Sequence, residues 1–177
     1  MKIRNARHGT TLAALLCMAT TAVQAGGPVP GRYVMTVYSD MAQGRAILDG
    51  SPDELIRELA HGKSGEALTL EEGINLCVAY TQAKQVDNAR PACDAALATA
   101  EHAVSTARRT SSIWRDPAYD ARTGQAIALN NRGVLYALTG EHDAAREAFE
   151  AALAIRKRTT YAKENLSLLN EDFAAAR

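Results

Sequence analysis

The sequence predicts an all-α fold in which antiparallel helix pairs stack side by side. Three observations carry that expectation: an interior that must be built from small and aliphatic side chains, helix start and stop signals that recur along the chain, and one helical hairpin written twice. Of 177 residues, 47% are hydrophobic but only 5% aromatic, and alanine is abundant. Such a chain is long enough to bury one ordinary core, and it must do so with Ala, Leu, Ile and Val at short helix-to-helix distance.

The first 25 residues are set apart. Lys2, Arg4 and Arg7 precede the apolar run TLAALLCMATTAV, which is too short to span a bilayer comfortably, and Val23 and Ala25 place small residues before a cleavage point. Residues 1–25 therefore read as a signal peptide cut after Ala25, with a periplasmic or secreted destination of the kind that oxidises thiols. Lipoprotein processing is disfavoured because Leu15 and Leu16 precede Cys17. Three of the 20 basic residues lie in this leader while all 20 acids remain, so the mature chain carries a net charge of −3. It has no electrostatic footprint for nucleic acid or for an anionic membrane. Cys77 and Cys93 are then the two remaining cysteines, a disulfide candidate if the fold lets them meet.

Residues 26–39, GGPVPGRYVMTVYS, pass from Gly and Pro to β-formers and predict an extended N-terminal arm. The helical domain is expected over 40–177. A short hairpin fills 40–61, where Ser51 can cap, Pro52 suits a first helical position and Glu54 completes a capping box. Thr69 and Glu72 form a second capping box before NLCVAYTQAK. A partner helix follows from about Asp87, with Pro91 expected in its opening turn. Asp116 and Pro117 open the next helix, which runs to Leu138 before a Thr-Gly stop, and two further helices cover Ala144 to about Lys157 and the tail.

Shifting the chain by 56 residues aligns NLCVAYTQAKQVDNARPACDAALA with NRGVLYALTGEHDAAREAFEAALA. Val78, Tyr80, Asp87, Ala89, Arg90, Ala92, Ala95, Ala96, Leu97 and Ala98 then meet identical residues, so one hairpin is used twice. These residues resemble the tetratricopeptide repeat (TPR) family, whose pattern is W-x2-L-G-x2-Y followed by A-x3-F and a terminal proline. Gly133 and Tyr136 fill G-x2-Y, and Ala145 and Phe149 fill A-x3-F; in the earlier copy Tyr80 and Ala89 match, while Cys77 stands for the glycine and Cys93 for the phenylalanine. The tryptophan slots hold Gly73 and Leu129, the leucine slots Leu76 and Arg132, and the proline slots Glu101 and Lys157.

The resemblance implies a short right-handed α-solenoid: an eroded hairpin at 40–61, repeats at 70–103 and 126–159, a projecting extension at 104–125 with Trp114 in its turn, and a capping helix at 160–176. A unit of about 34 residues backward places Gly50 in the turn slot of Lys84 and Gly140. Tyr80, Ala89, Ala96, Gly133, Tyr136, Ala145, Phe149 and Ala152 are the expected repeat-packing residues. Cys77 and Cys93 fall in facing slots, which implies their disulfide; two buried free thiols remain the alternative, and a redox pair is disfavoured because no C-x-x-C turn is present.

Asn75, Asn131 and Asn165 recur in one slot of successive first helices. In the resembled family that slot lines a concave groove, where a carboxamide can donate to and accept from an extended peptide backbone; asparagine is also simply common in the family's signature. Val78, Thr81, Val134 and Leu138 would give the groove an exposed, mixed apolar surface. His142 beside Glu141 and Asp143 reads as a solvated turn rather than a metal site. No H-E-x-x-H, G-x-S-x-G or phosphate loop occurs, so neither a catalytic set nor a cofactor is expected. The expectation is a non-enzymatic protein-binding scaffold of the bacterial envelope that takes a peptide or helix in its groove. A structural envelope subunit using its long helices and arm is the alternative, and a thiol-redox protein or enzyme ranks third.

Overall fold

The computed structural model describes residues 23–25, 32–61, 67–107, 117–156 and 160–175. Among the described residues, seven helices make an all-α, TPR-like solenoid: α1 Ala42–Leu48, α2 Pro52–His61, α3 Leu70–Gln82, α4 Val86–Ala107, α5 Pro117–Leu138, α6 His142–Ile155 and α7 Thr160–Ala175. Each helix from α3 to α6 packs on the next, and α3, α5 and α7 also touch one another in series. Two three-residue strands, β1 Val23–Ala25 and β2 Thr36–Tyr38, form an antiparallel pair. Residues 62–66, 108–116 and 157–159 lie outside the described residues, and so does Trp114.

Local chemistry explains the helix ends. Thr69 accepts from the Glu72 amide at 3.2 Å while the Glu72 carboxylate accepts from the Thr69 amide at 2.9 Å, so the capping box that opens α3 is formed in both directions. Three hairpin turns share one geometry. Gly50, Lys84 and Gly140 have φ of 82°, 58° and 82°. After each, the following amide reaches back to Ala46, Tyr80 or Tyr136 at 2.9 Å, closing the last helical turn. Pro91 lies deeper than its sequence context suggested: α4 begins at Val86, so the proline is its sixth residue and one ladder bond is missing there.

Small residues set the helix spacing. A Cβ on Gly133 would fall 2.6 Å from the Phe149 ring, and one on Gly73 would sit 3.5 Å from Ala96. Ala89, Ala96, Ala145, Phe149 and Ala152 are buried, while Tyr80 and Tyr136 pack half-buried against the same core. Tyr136 lies between the guanidinium groups of Arg90 and Arg132, 5.4 and 5.6 Å from its ring centre. Cys77 on α3 and Cys93 on α4 form a disulfide with Cα atoms 4.7 Å apart.

Candidate functional site

The concave face is occupied, and its occupant is the chain itself. Residues 33–38 run extended across α7, α5 and α3, and every one of them is buried. Three asparagines hold alternate residues of this arm. Asn165 Oδ1 accepts from the Val34 amide at 2.7 Å and Asn165 Nδ2 donates to the Val34 carbonyl at 2.8 Å. Asn131 repeats the arrangement with Thr36 at 2.8 and 2.8 Å, and Asn75 with Tyr38 at 2.9 and 3.1 Å.

The match is one of chemistry and of step. A carboxamide carries one acceptor oxygen and a donor NH2, the complement of a residue's own N–H and C=O. An extended chain advances about 6.6 Å every two residues, and alternate helices, α7, α5 and α3, supply one asparagine per step. All three asparagines are fully buried, so their hydrogen bonds satisfy groups that water cannot reach.

Asn130, which sequence reasoning missed, completes the network. It donates to the Val34 carbonyl at 3.1 Å and to Asn131 Oδ1 at 3.3 Å, and accepts from Asn165 Nδ2 at 2.9 Å. Its only sequence signal was the Asn-Asn pair; no counterpart stands in the other repeat, where Ile74 occupies the position.

The remaining groove candidates separate. Val78 and Val134 are not an exposed binding surface: both are fully buried in the cluster that contains Tyr33, Met35 and Val37, because the arm lies over them. Thr81 is buried too and donates its hydroxyl to the Cys77 carbonyl at 2.8 Å. Leu138, at the end of α5, is 40% exposed and outside the asparagine ladder.

Both ends of the arm are fastened. Arg32 pairs with Glu171 and Asp172 on α7, Tyr33 donates its hydroxyl to Asp172 at 2.7 Å, and the Tyr33 ring stacks on Phe149 with centroids 6.5 Å apart. At the other end Gly44 lets α1 pass beneath the strand: a Cβ there would lie 1.8 Å from the Tyr38 carbonyl oxygen. Burial raises the Tyr38 phenol above its ordinary pKa, with the nearby carboxylates of Glu71, Asp120 and Asp40 adding to the effect. Tyr33 is raised as well, first by burial and then by its bond to Asp172.

Among the described residues, no group of three His, Cys, Asp or Glu gathers as a metal site, and no helix is long and apolar enough to cross a membrane. Glu141, next to His142, is instead bonded to Arg90 and to the Thr139 hydroxyl. Compared with known families, residues 126–160 match the tetratricopeptide repeat model. No curated protein and no solved structure matches the chain.

Proposed function

Because the chain carries a tetratricopeptide repeat and folds as the solenoid such repeats build, we propose that it is an exported, non-enzymatic protein-interaction module of the bacterial envelope. Repeats of this family generally mediate protein–protein contact. The observation that carries the reading is the match of residues 126–160 to the tetratricopeptide repeat, set within a stack of helix pairs; the asparagine ladder shows that its groove grips an extended backbone. The arm fills this peptide groove in cis, and its hold is strong. Seven carboxamide–backbone bonds at about 1 kcal/mol each add to burial of Val34, Met35 and Val37 at about 1.5–3 kcal/mol each. A tethered segment also acts at an effective concentration near or above the millimolar range.

A partner therefore meets the completed surface of solenoid plus arm. The alternative envelope-subunit role loses the arm as a free docking element, since residues 33–38 are inside. The exposed parts of α4 and α5 remain available to it.

Export is tested by fractionating the native host and sequencing the N-terminus of the mature protein, which should begin at Gly26. Interaction is tested by affinity capture from envelope extract with the mature chain as bait. A specific, stoichiometric protein partner is expected, and it should still be captured when Leu138 is changed to Ala. A bait that retains nothing above background would sink the interaction reading.

A further inference from the structure

Building on the proposed removal of residues 1–25, we infer that the outer edge of β2 is a strand-addition site for a partner's extended segment, one with a cationic flank on its N-terminal side. Successive residues of an extended chain aim their backbone groups at opposite edges. Val34, Thr36 and Tyr38 face the asparagines. Val37, between them, faces away, and it stands opposite Gln24 in the ladder with β1.

That edge has the properties of a seat. Its outer position accepts a strand in a defined register, with Val23 opposite Tyr38, Gln24 opposite Val37 and Ala25 opposite Thr36. Val37 is fully buried with β1 in place, and a strand edge left unpaired is a template for another chain. Cleavage after Ala25 separates all three β1 residues from the mature chain, so the strand that pairs with Val37 leaves with the leader. The backbone edge it covered is then open to another extended chain.

The register also sets the occupant's chemistry. An antiparallel strand enters past Tyr38 and leaves past Thr36, so the residues preceding its paired triplet lie at the Tyr38 end. There Glu71, Asp120 and Asp40 bring three carboxylates close enough to act on the Tyr38 phenol, and a lysine or arginine in the incoming flank meets a negative field. At the opposite end Arg32 is already engaged by Glu171 and Asp172. Main-chain bonds supply affinity in such additions, and the flanking and alternate side chains supply selectivity.

The test uses mature protein purified from an exporting host, its N-terminus read by mass spectrometry, and the synthetic peptide KTTAVQAG as probe. The expected result is saturable binding by fluorescence anisotropy, with exchange of the Val37 amide slowed at least tenfold by the peptide. KTTAVPAG, which lacks the central donor, and ETTAVQAG, which reverses the flank charge, should each bind at least tenfold more weakly. Equal binding by the proline peptide, or an unchanged Val37 amide in a chain that begins at Gly26, overturns the site while leaving export intact. A mature chain that retains residues 23–25 overturns it through the export reading instead. A dimer by light scattering with Val37 already protected assigns the edge to a second copy and overturns the partner strand.

Discussion

Asn131 shows how much one side chain can hold in this molecule. It joins Thr36 to α5 through two bonds, also accepts from Asn130, and is fully buried. Asn131→Ala removes the carboxamide and leaves both Thr36 backbone groups without it in the interior. The expected cost is about 2–4 kcal/mol, on the order of one to two buried polar groups left unsatisfied, read as a lower urea midpoint at unchanged slope. Leu138→Ala, at an exposed site, should stay within about 0.5 kcal/mol. If the two variants unfold alike, the ladder does not hold the arm. The chemistry of these asparagines was legible in the sequence, since their recurrence in one slot pointed to backbone recognition. Which backbone was not, because Asn131 and Thr36 are 95 positions apart and Asn165 and Val34 are 131 apart.

Elements add terms of their own. Gly50 and Gly140 take the left-handed turn conformation without steric cost, whereas Lys84 takes it with a side chain, at φ 58°. Lys84→Gly should therefore stabilise the protein by about 0.5–1 kcal/mol, visible as a higher Tm; a loss of stability would show that the Lys84 side chain contributes more than its backbone costs. The α3–α4 hairpin is also covalently closed, by a disulfide spanning 16 residues. Replacing both cysteines with alanine should cost about 3 kcal/mol, the chain-entropy value for a loop of this size, measured by denaturation without reductant. Little change would mean that packing alone sets this hairpin. The repeat was readable at this scale because close helix contact demands small side chains at fixed local intervals, as Gly133 beneath Phe149 illustrates. The start of α4 fell within one residue of its expected position, and Pro91, its sixth residue, lies just beyond the opening turn rather than in it.

Across the whole molecule, arm and solenoid share one core: Met35 and Val37 belong to the same cluster as Ile47, Leu55, Val78, Val134, Phe149 and Leu169. That union predicts a pH response. Tyr33 and Tyr38 have raised phenol pKa values in the folded state, chiefly through burial. The folded chain thus holds these protons more tightly than the unfolded chain, and the stability linked to them is complete below the ordinary phenol value of about 10. It falls as pH rises above that value toward the raised ones. Spectrophotometric titration should show Tyr33 and Tyr38 ionising only together with loss of helical circular dichroism; their ionisation in a chain that keeps its helical signal would contradict the buried arm.

The sequence by itself determined the helical hairpins, their repetition, the small residues at their contacts and the extended bias of the arm. Each is written in neighbouring residues through periodicity, capping and side-chain size. Only the tertiary structure decided that the groove is filled, that its peptide belongs to the same chain, and that Val78 and Val134 are interior rather than surface. Those outcomes depend on pairing groups far apart in the chain. Local pattern can state what a carboxamide is able to bind, but only the assembled fold brings a particular backbone within its reach.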